Sequence, residues 1–122
     1  MIKVSDYIFD FLKSKGVDTI FSVSGGAAAH LLNSVKEKEF KYICNYHEQA
    51  CAMAAVGYSK VNNQIAVVMP TTGCGGTNTI TGLLDAWQDS NKIVFISGNV
   101  NKKETTYCSD NNYNVSKQNF IS

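Results

Sequence analysis

Residues 65–78, IAVVMPTTGCGGTN, join a continuous apolar run to a glycine-rich turn. Apolar residues that follow one another without alternation are typical of a strand covered on both faces, as in the middle of a parallel sheet. The glycines that follow free the backbone for a tight turn. This stretch therefore predicts a buried strand that ends in a turn at the edge of a sheet.

Three further segments have strand character. They cover residues 19–23, 40–44 and 92–97, and the first and last run into glycines. Helical patterns separate the strands, and parallel neighbours need crossovers that helices can provide. We therefore predict an α/β domain in which an open parallel sheet is flanked by helices.

The helices are predicted from apolar residues spaced three and four positions apart. The first covers residues 4–12, with Ser5 as its cap and Gly16 as its stop. Residues 48–61 are rich in alanine, which suits a helix packed very closely against another element. A later helix is expected to begin at Asn78.

Composition limits the classes of function. The chain has 122 residues, 44% of them hydrophobic and 17% charged, which indicates one folded domain. Its net charge is +1 and it contains no arginine, which argues against nucleic-acid binding. The spacing of the four cysteines does not predict a metal site. No apolar run approaches 18 residues and no signal peptide is apparent, so we expect a cytoplasmic protein without a membrane partner.

The apolar pattern is lost near the end of the chain. We assign residues 1–100 to the α/β domain and residues 101–122 to an irregular tail rich in Asn, Ser, Lys and Tyr. A pattern that stops just before the end of a chain is expected of a fragment. We therefore expect the tail to lead toward a missing remainder of a larger protein.

Four short blocks lie at the predicted carboxyl ends of the strands, where open parallel sheets bind ligands. They are FSVSGGA at 21–27, HEQA at 47–50, TGCGGTN at 72–78 and ISG at 96–98. In this order and spacing they resemble the N-terminal pyrimidine-binding (TPP-binding) domain of thiamine-diphosphate-dependent enzymes of the acetolactate synthase and pyruvate oxidase group. The resemblance covers nearly the whole chain.

The resemblance implies a cofactor and a set of residues that bind it. The cofactor is thiamine diphosphate, and Glu48 is the catalytic residue, whose carboxyl group hydrogen-bonds the pyrimidine ring and assists removal of the thiazolium C2 proton. The implied cofactor-binding residues are Gly25, Gly26, Glu48, Thr72, Gly73 and Asn78.

The chain departs from the family pattern in two places. Ser24 stands where the family usually has proline before the paired glycines. The Gly-Asp-Gly and Asn-Asn element, which in the family holds magnesium and the diphosphate, is missing. The resemblance therefore implies that magnesium is bound by a domain absent from this chain, and that this chain alone is inactive.

Two residues keep a simpler explanation beside the functional one. Glu48 could only complement the positive end of the helix that it starts, although the residues around it favour the catalytic role. Asn78 could cap the helix that follows it or shape the cofactor turn, and the sequence favours neither role over the other.

The resemblance implies that this chain is a domain of a 2-keto acid decarboxylase or carboligase, which would be a lyase or a transferase. Cys74 makes the third block most similar to members from surface-polysaccharide sugar pathways. The alternative is a non-catalytic or small-subunit α/β protein that keeps the fold and acts by interaction. Small residues in the helices starting at Glu48 and Asn78 predict a homodimer or higher oligomer, with Leu83, Leu84 and Trp87 in the core or at the interface.

Overall fold

A computed structural model describes residues 1–99, so the tail expected at residues 101–122 lies outside the described residues. The sheet has four strands in the order β2-β1-β3-β4, and every neighbouring pair is parallel. This arrangement confirms the predicted open parallel sheet. The strands are β1 (Thr19–Ser22), β2 (Lys41–Cys44), β3 (Ala66–Met69) and β4 (Ile93–Phe95).

Helices connect the strands as the crossovers require. They are α1 (Val4–Ser14), α2 (Ala29–Glu37), α3 (Glu48–Asn62), α4 (Cys74–Thr77) and α5 (Ile80–Gln88), and a 3-10 turn (Gly26–Ala28) precedes α2. The short helix α4 was not predicted. The later helix α5 begins at Ile80 instead of Asn78. No helix within residues 1–99 combines the length and the apolar character needed to cross a bilayer.

The two ends of α1 test the predicted cap and stop. The assignment of Ser5 as the cap is wrong, because Ser5 lies within the helix and the extended Lys3, two residues earlier, occupies the N-cap position. Gly16 is confirmed as the stop, with a φ of +81°. The amides of Gly16 and Val17 bond to the carbonyls of Lys13 and Leu12, the double closure that a left-handed glycine permits.

Apolar side chains cover both faces of the sheet. Successive residues of β1 divide between them, because Ile20 packs with α1 and α2 while Phe21 packs with α3. All four residues of β3 are buried, which confirms the explanation given for the apolar run at residues 65–69. Their burial on both faces fixes the register of the sheet, because a slip of one residue would move every side chain to the opposite face.

The order of the strands determines where a ligand can enter. The chain passes from β1 outward to β2, then returns to place β3 on the other side of β1. The connections that leave β1 and β3 therefore diverge, which opens a crevice at their carboxyl ends. The turn at Gly25 and the turn that begins at Thr71 flank this crevice.

Candidate functional site

Glu48 is held at the start of α3 by the residue before it. His47 has an extended backbone and occupies the N-cap position, where its Nδ1 accepts a hydrogen bond from the Gln49 N–H at 3.1 Å. The capping oxygen usual at this position is replaced by an imidazole nitrogen, so the Glu48 side chain is not needed as a cap. Glu48 is half-buried and is free to point toward the turn that follows β3.

Asn78 is the hydrogen-bond partner of Glu48. Its Nδ2 donates to Glu48 Oε2 at 3.0 Å. The backbone of Asn78 is helical, with φ −64° and ψ −16°, whereas an N-cap residue is normally extended. Thr79 occupies the N-cap position of α5 and makes no side-chain cap bond. The capping explanation for Asn78 is therefore wrong.

Thr71 packs between the two glycine turns. A Cβ atom built on Gly25 would lie 2.5 Å from both Cβ and Oγ1 of Thr71. A Cβ built on Gly75 would lie 2.7 Å from Thr71 Cγ2 and 3.3 Å from Glu48 Oε1. Both glycines are therefore required by close approach, and the buried Gly75 lets the Thr71 and Glu48 side chains come close to the turn.

The remaining predicted residues lie on the same edge of the sheet. Gly73 precedes α4 with φ +66° and ψ −124°, a conformation that L side chains rarely adopt. Thr72 is half-buried beside it. Gly26 is exposed, and a Cβ built on it would meet no heavy atom within 4 Å, so packing does not require glycine there. The assignment of these residues to cofactor binding stays a prediction.

Sequence reasoning missed three residues that build this site. Thr71 and Gly75 lie in the glycine-rich turn, but no local pattern shows that they face Gly25 and Glu48. Gly82 on α5 contacts Ala52 on α3, and a Cβ built on it would lie 2.3 Å from the Ala52 Cβ. The alanine-rich pattern of residues 48–61 did predict a very close neighbour for that helix, and α5 is this neighbour.

Cys51 lies on α3, one turn after His47. Burial raises the pKa of the Cys51 thiol to about 11, so this thiol stays protonated at neutral pH. Within residues 1–99 no three His, Cys, Asp or Glu side chains come together in a group that could hold a metal ion. The catalytic role of Glu48 at this edge of the sheet stays a prediction.

Helix α5 carries an exposed apolar face and borders a cavity. The face consists of Ile80, Leu83, Leu84 and Trp87, which are exposed and spaced three and four residues apart on α5. Trp87 is 81% exposed, which excludes the core and leaves the interface as the remaining prediction for it. A cavity of about 300 Å³ lies between α5 and the ends of β3 and β4, and Glu48 does not line it.

Comparisons with known proteins identify relatives in sequence and in fold. The model of the family "Thiamine pyrophosphate enzyme, N-terminal TPP binding domain" matches residues 2–119. The acetolactate synthase isozyme 2 large subunit of Escherichia coli is 36% identical over 96 residues, which are 79% of this chain and 18% of that protein. A probable acetolactate synthase large subunit of Methanocaldococcus jannaschii is 32% identical over 102 residues, 84% of this chain and 17% of that protein.

A solved structure has the same fold. The thiamine diphosphate-dependent 4-hydroxybenzoylformate decarboxylase of Rhodococcus jostii RHA1 superposes with a TM-score of 0.77 at 24% identity. The match covers 84% of this chain and 20% of that one. The chain thus spans about a fifth or less of the length of the proteins described in these comparisons.

Proposed function

This chain belongs to the family of N-terminal TPP-binding domains of thiamine pyrophosphate enzymes, in the acetolactate synthase and pyruvate oxidase group, and from that membership we propose that it forms the pyrimidine-binding half of a thiamine diphosphate site. The observation that carries the proposal is the Glu48 carboxyl group. One of its oxygens is bound by Asn78, and the other faces the bare backbone of Gly75.

Glu48 would bind the pyrimidine ring of the cofactor. When bound, thiamine diphosphate supplies the carbon nucleophile with which these enzymes cleave and join 2-keto acids. Glu48 would exchange a proton with a ring nitrogen of the pyrimidine through Oε1, the oxygen that Asn78 does not bind, and would so assist the proton transfer that activates that carbon. Glycine at position 75 leaves the room that the Thr71 and Glu48 side chains occupy, and so lets the Glu48 carboxyl group lie against the turn that follows β3.

The diphosphate and its magnesium would be bound elsewhere. The described residues hold no group of three metal-ligating side chains, and the chain has no arginine to bind phosphate. We propose that a separate domain supplies both and that the complete enzyme is a 2-keto acid decarboxylase or carboligase of the cytoplasm. Its homologues among the acetolactate synthases support this chemistry.

A second copy of the chain would cover the apolar face on α5. The small residues that suggested an interface are used within the chain, since Gly82 packs on Ala52. The large exposed side chains of the same helix remain, and Trp87 and Leu84 are the most exposed of the four on α5. An exposed apolar patch of this kind fits a two-fold homodimer, in which the same patch of each copy would meet.

Calorimetric titration with thiamine diphosphate tests whether this chain binds only the pyrimidine part of the cofactor and a separate domain binds the diphosphate. The isolated chain should bind weakly, and magnesium should not strengthen the binding, because the ligands for the diphosphate are absent from it. In ¹⁵N spectra the amides of Glu48 and Gly75 should shift at high ligand concentration, whereas Lys60 at the far end of α3 should not. Tight binding that depends on magnesium would contradict the proposal.

The alternative is a non-catalytic or small-subunit protein with the same fold. For residues 1–122 taken alone, the lack of a Gly-Asp-Gly followed by Asn-Asn favours it. The reading frame after codon 122 discriminates between the two: an element of this type downstream supports the enzyme, and a stop codon supports the alternative. The assignment to a surface-polysaccharide sugar pathway, supported by Cys74, is tested by offering the complete enzyme sugar-derived substrates beside simple 2-keto acids.

A further inference from the structure

We propose that Asn78 is a positioning residue for Glu48, and that the contact of Gly82 with Ala52 sets the separation of the two side chains. This inference rests on the proposed function of Glu48. It goes beyond that function because it names the residues that decide which carboxyl oxygen faces the cofactor.

The first step is the use of the two carboxyl oxygens. Asn78 Nδ2 donates to Oε2 at 3.0 Å, so this oxygen already has a partner. Oε1 lies against Gly75, where a Cβ atom would come within 3.3 Å of it. The amide therefore fixes the rotation of the carboxyl group, and within residues 1–99 Oε1 is the oxygen that accepts no hydrogen bond. A carboxyl group that turned freely would lose this discrimination between its oxygens.

The second step is the geometry of the helices. Ala52 lies one turn after Glu48 on α3, and Gly82 lies one turn after Asn78, whose backbone is already helical. Residues four positions apart lie on the same side of a helix. The crossing point at Ala52 and Gly82 is therefore directly next to the pair. A methyl group on Gly82 would lie 2.3 Å from the Ala52 Cβ, which would force the helices apart.

Glycine at position 82 is thus explained by the close contact with Ala52 and not by the stability of the helix. Glycine in a helix interior is unfavourable relative to alanine. Gly57, on the exposed side of α3, provides the matched control, because a Cβ built there meets no heavy atom within 4 Å. Replacing Gly57 by alanine adds the same methyl group to a helix without touching the contact between α3 and α5.

The test follows the side-chain amide of Asn78 by ¹⁵N spectroscopy of the full 122-residue chain as the pH is lowered. Protonation of Glu48 weakens the acceptor, so the Asn78 side-chain amide proton should move to higher field. The movement should be present in the wild-type chain and in Gly57→Ala. It should be lost in Glu48→Gln and in Gly82→Ala, although all four chains stay folded. An Asn78 amide that ignores pH in the wild-type chain, or that still responds in a folded Gly82→Ala chain, overturns the proposal.

Asn78→Ala supplies a second test, which does not depend on Gly82→Ala being folded, because Asn78 is exposed and its side chain does not cap α5. Thiamine diphosphate at high concentration should shift the Glu48 amide of the wild-type chain and lose most of that effect in Asn78→Ala. Equal shifts in both chains overturn the positioning role and leave the proposed function standing. No shift in either chain, with the pH response of Asn78 intact, overturns the proposed function and the cofactor-facing part of this inference with it.

Discussion

The Thr71 side chain fills the space that a Cβ atom on Gly25 would need. The two residues follow β3 and β1, the strands between which the connections diverge. The distance from the built Cβ to Thr71 Oγ1 is 2.5 Å, well inside van der Waals contact. The turns on the two sides of the crevice are therefore in direct packing contact through Thr71 and Gly25.

Gly25→Ala should destabilise the fold, and Gly26→Ala should not. Gly25 has φ −160°, an extended conformation that alanine adopts freely, so the cost is steric. Overpacking of this kind costs about 1–3 kcal/mol. The neighbouring Gly26 has open space at its Cβ position and serves as the control. Urea unfolding of the two variants measures the difference.

A double variant separates this contact from other effects. Thr71→Gly removes the atoms that would meet the new methyl group, so Gly25→Ala combined with Thr71→Gly should show a favourable coupling free energy. Additive losses in the double-mutant cycle would show that Gly25 is required for some other reason.

The fold could be predicted from the sequence because its signals are local. An apolar run followed by glycines, as at residues 65–78, specifies a buried strand and its end without information from elsewhere in the chain. The position of Glu48 follows in the same way, since it starts a helix just after the end of β2. The short α4 was missed because Gly75 and Gly76 are poor helix formers, and their burial in the folded chain outweighs that propensity.

The partner of Glu48 could not be predicted because it lies 30 positions away. Asn78 precedes a helix, and in the sequence an asparagine there is typical of a cap. Only the packing of α5 on α3 turns its side chain toward Glu48. Close contacts between helices depend on pairs such as Gly82 and Ala52, and a single glycine within an apolar helix carries no signal of its partner.

A second prediction concerns Asp18 and the stability of the chain in acid. Hydrogen bonds from the Thr19 and Tyr58 hydroxyl groups, at 2.7 and 2.8 Å, lower the pKa of Asp18 below its ordinary value. A lowered pKa in the folded state means that the ionised form contributes stability above the unfolded-state pKa, and that this contribution is lost as the pH falls through the folded-state pKa. In urea unfolding at neutral pH, Asp18→Asn should therefore be less stable than the wild-type chain.

The difference between these two chains should shrink as the pH is lowered toward and below the ordinary range for an aspartate. Asp18 is exposed, so solvent screening should keep the effect small. A difference that stays constant from neutral pH to acid would show that the Asp18 charge plays no part in it.

A third prediction concerns the apolar face on α5. Trp87→Lys should weaken self-association, because it places a charge where a large apolar side chain would be buried. The loss of a central aromatic anchor commonly costs about 2 kcal/mol or more, which is roughly a 30-fold change in the dissociation constant. Sedimentation equilibrium measures it. Phe11→Lys, on an exposed face of α1, is the matched control and should leave assembly unchanged. A wild-type chain that stays monomeric at high concentration contradicts the assembly proposal.

The last prediction concerns Glu48 in a catalytic setting. A chimera in which this chain replaces the N-terminal TPP-binding domain of the Escherichia coli acetolactate synthase isozyme 2 large subunit would supply the rest of the cofactor site.

Glu48→Gln keeps the size of the side chain and an oxygen for Asn78, so the fold and the contact between α3 and α5 should persist. It removes the group that exchanges a proton with the pyrimidine ring. Exchange of the C2 proton of the bound cofactor should therefore slow by about 100- to 10,000-fold, while thermal unfolding of the chimera stays unchanged. Asn78→Ala should slow the exchange less, because it misdirects the carboxyl group without removing it. Exchange at the unmodified rate in Glu48→Gln would reduce Glu48 to a carboxylate at the positive end of α3.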